Sequence, residues 1–226
     1  MTREIVGNSD SGKIRIFVVR HGKTDWNAKK ILQGHINIDM NDEGKDQARK
    51  LGEHFKEIQL DNVVSSDLSR CVETAKFIVD EQKGPEYQET THLRERNMGK
   101  VQGMPLDQAL AEYGEDFRNF GEKSDALILR VSEVWNGAIK NAKVKGHKNV
   151  LLCTHGGVIR AFINHLHDGL QYGLGNGLYR EDLRVPYNTS ISVIDIDVAS
   201  GQGTIQKFGV TEHLGGDFRV TNQLLR

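Results

Sequence analysis

The chain has 226 residues, 37% of them hydrophobic, and carries 30 basic against 31 acidic side chains for a formal net charge of -1. That length can bury one sizeable core, and the even charge excludes the concentrated positive field of a nucleic-acid-binding or polybasic membrane protein. No window approaches the ~20 apolar residues of a membrane span, and the polar N-terminus lacks a signal peptide's apolar stretch. The expectation is a cytoplasmic protein, with residues 1–12 as a polar tail and 13–226 as a single domain.

Ile14 to Val19 is branched and aromatic, which predicts a buried strand, and it runs straight into Arg20-His21-Gly22. A guanidinium there is costly unless something anionic meets it. Residues 41–57 read as a helix with acidic residues in its first turn, and 61–66 as a short strand. The helix that follows, 66–81, places Leu68, Cys71, Val72, Ala75, Ile78 and Val79 on one face behind a Ser66 or Asp67 cap. Residues 102–124 are polar and glycine-containing, with a short helix near Leu106 to Tyr113, and a long helix runs from about Asp125 to Lys143. "NVLLCTHGGVIRAFINHLHD" then repeats the opening order of apolar strand, histidine, glycine and helix. The glycine-rich 169–182 follows a helix and precedes a strand, the reverse of a nucleotide-binding loop, and reads as a mobile connection. Two strands, "TSISVIDID" and "GTIQKFGV", close the chain around a turn at Ser200 to Gly203. Alternating strands and helices predict a three-layer α/β/α fold around a mostly parallel sheet.

The carboxyl ends of parallel strands share one edge of the sheet, so Arg20-His21-Gly22 and Thr154-His155-Gly156 can converge there despite their separation in sequence. Arg70, in the first turn of its helix, can join them. Arginine forks beside helix N-termini suit a phosphoryl group, whose oxygens match the fork in pairs. Imidazole, with an unperturbed pKa of ~6.5, is available as a neutral nucleophile near neutral pH. Taken singly, Arg20 and His21 could cap a strand turn and Arg70 could be a surface arginine. A metal site is the other alternative. No HxxxH or HExxH pair is present, His165 and His167 point apart on their helix, and adjacent arginines repel a cation, so neither metal nor cofactor is expected. Cys71 and Cys153 read as small buried residues, and the Asn188-Thr189-Ser190 sequon as coincidence. His35, His54, His92 and His147 read as surface or structural, and His213 is assigned no role.

"RHGKTDWN", "SSDLSRCVETA", "LRERNMG" and "THGGVIR" stand in the order found in the histidine phosphatase superfamily, the phosphoglycerate-mutase-like proteins, and the chain resembles that family from Ile14 to "TEHLGG". It is similar in particular to a fungal subgroup of small, broad-range phosphatases. The resemblance implies a six-stranded, mostly parallel sheet with a phosphate pocket at its carboxyl edge. It implies His21 as the nucleophile, Arg20, Arg70 and His155 as the phosphate clamp, and Glu95 as the general acid. It further implies Asn27, Gln33, Gly34 and Gly156 as substrate or phosphate contacts, and residues 100–124 as an insertion covering the substrate. That segment has only Lys100, Arg118 and Lys123 as cations, and Met98 stands where mutases commonly place a tyrosine, which favours a metal-independent phosphomonoester hydrolase over a mutase. A phosphate-binding regulatory protein is the alternative outside catalysis. The partner implied is a small phosphorylated substrate or inorganic phosphate, and the sequence leaves a homo-oligomer open.

Overall fold

Strand β1, Lys13–Arg20, sends alternate side chains into two separate layers of core. Ile14, Ile16 and Val18 pack with Leu127, Val131 and Trp135 on one face, whereas Phe17 and Val19 pack with Leu51, Phe55, Cys71 and Ile78 on the other. A sheet buried on both faces between helices is the expected α/β/α sandwich.

In this computed structural model, which describes residues 5–220, β1 is followed by a one-turn helix α1, Asp25–Ala28, then α2, Asp42–Phe55, β2, Asn62–Ser66, α3, Ser69–Val79, and β3, Glu86–Thr90. The second half contains α4, Leu106–Tyr113, α5, Ser124–Lys145, β4, Asn149–Thr154, α6, Gly156–Asn164, β5, Gly173–Leu174, β6, Ile191–Asp197, and β7, Gly203–Val210. The strand order is β3-β2-β4-β1-β6-β7-β5. β3, β2, β4 and β1 are mutually parallel, and β6 is antiparallel to both β1 and β7. Helices α2 and α3 cover one face, α5 and α6 the other.

Two expectations, the strand count and the cap of α3, need correction. The sheet has seven strands rather than six, because β5, two residues of the glycine-rich connection, pairs in parallel with β7. That connection is tied down further by an ion pair between Arg180 and Asp168 at 2.7 Å. Within the segment read as a polar tail, Ile5 is buried in the core and the Asn8 N–H donates to Asn149 Oδ1 at 2.6 Å. Residues 1–4 and 221–226 of the expected tail and domain lie outside the described residues. Finally, neither Ser66 nor Asp67 caps α3, whose N-cap is Leu68. Asp67 is held by Arg94 and Ser66 faces His155, so Asn37 Oδ1 accepts from the Ser69 N–H in their place, at 2.8 Å.

The segment after Glu95 has its own small core of Val101, Leu106, Ala109 and Phe117. Among the described residues, no helix is long and apolar enough to cross a membrane.

Candidate active site

Parallel register puts Arg20, the last residue of β1, opposite Thr154, the last of β4. The next residue on each strand is a histidine, and the rings of His21 and His155 lie with centroids 5.1 Å apart. Both are buried, as are Arg20 and Arg70. All nine residues expected at the site, Arg20, His21, Asn27, Gln33, Gly34, Arg70, Glu95, His155 and Gly156, line one cavity of about 380 Å³ at this edge of the sheet.

The protonation of His21 follows from its neighbours. Nδ1 lies 2.7 Å from the Gly22 carbonyl, which can only accept, so Nδ1 carries the proton and Nε2 keeps its lone pair. Burial, then the charges of Arg70 and Arg20, hold the imidazole well below its ordinary pKa of 6.5. His155 is depressed for the same first reason, followed by Arg70, His21 and Arg20. Its Nδ1 accepts from Arg70 Nε at 3.2 Å, which leaves Nε2 to donate to Ser66 Oγ at 2.9 Å.

Arg70 is fully buried, and its fork is aimed by backbone: Nη1 donates to the Ile36 carbonyl at 2.9 Å and Nη2 to Gly34 at 3.0 Å. No described carboxylate bonds to it. Arg20 Nη1 donates to the Pro186 carbonyl at 2.7 Å. Arg20, Lys30, Arg70, Arg96, Arg118 and Arg160 line the cavity with Glu95 as its one carboxylate among the described residues, an excess of positive charge that suits an anion.

Glu95 reaches the same cavity from the loop after Leu93. Its Oε2 accepts from the Gly157 N–H at 3.0 Å and its Oε1 from the Arg96 N–H at 2.9 Å. The two glycines that open α6 permit this: a Cβ on Gly157 would come within 2.5 Å of Glu95 Oε1, and one on Gly156 within 3.1 Å of Arg20 Cζ. Arg94, next to Glu95 in sequence, turns away to Asp67 at 2.7 Å. The Glu95 backbone is pinned through its carbonyl by His35 Nε2 at 2.7 Å and Arg130 Nη2 at 3.1 Å.

The four expected contact residues differ in what they offer. The Asn27 Oδ1 is taken up by the Thr24 N–H at 3.1 Å in the capping box of α1, and Gln33 Nε2 donates to Thr24 Oγ1 at 2.9 Å. Gly34 contributes its carbonyl to Arg70, and Gly156 its close approach to Arg20.

The sequence reading missed Ser66, Thr74, Arg130 and the Pro186 carbonyl as supports of the site. Thr74 Oγ1 accepts from the Gly22 N–H at 2.9 Å, and Thr74 is one helical turn after Arg70, a spacing that could have found it. Arg130 and Pro186 carry no local signal. The cation count was also incomplete: Lys30, Arg96 and Arg160 join Arg118 in the lining, together with the apolar Trp26, Leu32, Met98, Leu106 and Phe117. Among the described residues no three His, Cys, Asp or Glu side chains converge as metal ligands would.

Residues 16–211 match the family model of the histidine phosphatase superfamily, branch 1. A broad-specificity phosphatase of Saccharomyces cerevisiae is 37% identical, with 100% of each chain covered. A metal-independent phosphoserine phosphatase of Arabidopsis thaliana is 35% identical, over 67% of this chain and 68% of its own. In fold, the chain is similar to a phosphoglycerate mutase from Bacillus anthracis, with a TM-score of 0.76 at 24% identity, covering 91% of this chain and 97% of that one.

Proposed function

From its membership of the histidine phosphatase superfamily, to which this chain belongs, we propose that the protein is a metal-independent phosphomonoester hydrolase acting on small phosphorylated metabolites through a phosphohistidine. The observation that carries the reading is the Nε2 lone pair of a neutral His21 beside the buried, carboxylate-free Arg70 fork.

Arg20 and Arg70 hold the phosphoryl oxygens, and His155, whose Nδ1 accepts from Arg70 Nε, braces that fork. His21 Nε2 attacks phosphorus as the bond to the ester oxygen breaks, and Glu95 delivers a proton to the departing oxygen. A water then takes the alcohol's place, Glu95 removes its proton, and the N–P bond breaks to release inorganic phosphate. The charge that grows on the phosphoryl oxygens is met by donors already in position.

Arg70 should not tolerate its nearest substitute. Arg70→Lys keeps the charge but loses the three-way anchoring to Gly34, Ile36 and His155. Turnover should fall by about 10- to 100-fold. Wild-type kinetics in this variant would remove Arg70 from phosphate binding.

The second reading is a mutase. Lys30, Arg96, Arg118 and Arg160 in the lining favour it more than the segment 100–123 alone suggested. Hydrolysis is supported by the phosphatase relatives. The test supplies 3-phosphoglycerate with a bisphosphoglycerate primer and follows 2-phosphoglycerate and free phosphate together. Phosphate release should outpace isomer formation, and the opposite result would make the protein a mutase.

A further inference from the structure

Behind the cavity, Thr189 adopts φ of +56° although it is β-branched and wholly buried. Such a side chain crowds its own backbone there, and the conformation persists only where the surroundings impose it. The surroundings are the reacting segment itself. The Thr189 N–H donates to the Arg20 carbonyl at 3.0 Å and, at 3.4 Å, to that of His21. The adjacent Asn188 Nδ2 donates to the same His21 carbonyl at 2.9 Å.

The threonine is fixed in turn by its hydroxyl. Thr189 Oγ1 donates to the Asn188 carbonyl at 2.8 Å, so toward His213 Nε2, at 3.3 Å, it accepts. His213 sits in the turn Glu212–Leu214, and burial, with His54 and Lys50 nearby, lowers its pKa to about 3. It is a neutral donor throughout the range in which the enzyme would be assayed.

The arrangement matters because, among the described residues, no side chain hydrogen-bonds to the His21 ring. Where many nucleophile–base pairs use a carboxylate for this purpose, the His21 Nδ1 bonds to the carbonyl of the next residue, Gly22. The direction of Nε2 is therefore set by the course of the backbone at Arg20 to Gly22. We propose that Thr189, held by His213, is a positioning residue for phosphoryl transfer, clamping the Arg20 and His21 carbonyls so that Nε2 stays in line with the phosphorus. The proposal rests on the reading of His21 as nucleophile.

Steady-state kinetics on p-nitrophenyl phosphate test it. Thr189→Val keeps the volume and the branch but removes both hydroxyl bonds, and misalignment of this kind can cost ~10²-fold. Its kcat should fall about tenfold or more, with KM within about twofold, because Arg70 still holds the phosphate. Thr189→Ser should restore most of the loss. His213→Phe should lower kcat in the same way but by less, and it decides the matter alone if Thr189→Val does not fold. A kcat within about twofold of wild type in Thr189→Val, or in His213→Phe when that variant stands alone, overturns the proposal. So does a loss in Thr189→Ser equal to that in valine. Failure of the hydrolase reading would look different: the wild type would not turn over, or His21→Ala would.

Discussion

Replacing His21 with alanine should lower phosphate release by about four orders of magnitude or more, while the melting temperature stays near that of the wild type. Loss of a nucleophile typically leaves only what binding and oxyanion stabilisation supply. The fold should survive because, among the described residues, the His21 side chain makes one hydrogen bond, to its neighbour's carbonyl, and belongs to neither large core. Acid-quenched wild-type enzyme should carry an acid-labile, base-stable phosphoryl group on His21. The buried Cys71 is the rival, since its Sγ lies 3.4 Å from His155 Nε2. Burial and the neighbouring Cys153 push that thiol well above its ordinary pKa, however, so it offers little thiolate. Label recovered on Cys71, or retained in His21→Ala, would overturn the mechanism.

The same histidine sets the pH dependence. Its pKa in the folded protein is depressed, so the neutral, attacking form persists as pH falls and is lost only on passing through that lowered value. Once substrate ionisation is allowed for, the acid limb of kcat/KM should therefore lie well below pH 6.5, the ordinary value for the group. A limb at the ordinary value would mean that burial and the two arginines do not act on the free enzyme as the geometry requires.

What the sequence revealed, and what it hid, divides along the range of the interactions. β1 and β4 were legible because both are apolar runs interrupted by arginine, histidine and glycine, and a parallel sheet must bring such strand ends together. β3 was not, because "EYQET" is a polar strand at the sheet's edge and β2 alone pairs with it. The cap of α3 was misread for a physical reason: Ser66 and Asp67 have the right chemistry, but His155 and Arg94 claim them. The charged and titrating members of the site could be named from motifs, whereas their supports could not. Arg70 is aimed by two backbone carbonyls, Arg20 by one, and Glu95 by an arginine 35 positions away. Carbonyls have no signature in a sequence. Counting cations along one segment failed likewise, since the lining draws Lys30, Arg96 and Arg160 from outside 100–124.

Glu95→Gln should reduce kcat/KM, which reports the transfer to His21 alone, by about 10²- to 10⁴-fold for a sugar or glycerol phosphate, and far less for p-nitrophenyl phosphate. An alkoxide leaves phosphorus poorly without a proton, while p-nitrophenolate departs unassisted, so only the first reaction needs an acid. The geometry allows Glu95 that role although both its oxygens already accept backbone N–H groups. An ionised carboxylate has about four lone-pair sites, and those two bonds leave others open to a proton. The substituted amide would keep the size but present an NH2 group to one of the two backbone donors, so a modest loss on every substrate is expected as well. The selective part is what identifies the acid. Across a series of leaving groups, wild-type kcat/KM should vary shallowly with leaving-group pKa, and the dependence should steepen in Glu95→Gln. Parallel slopes, with equal losses on alkyl and aryl esters, would reduce Glu95 to a brace for the first turn of α6 and assign the proton to water or another side chain.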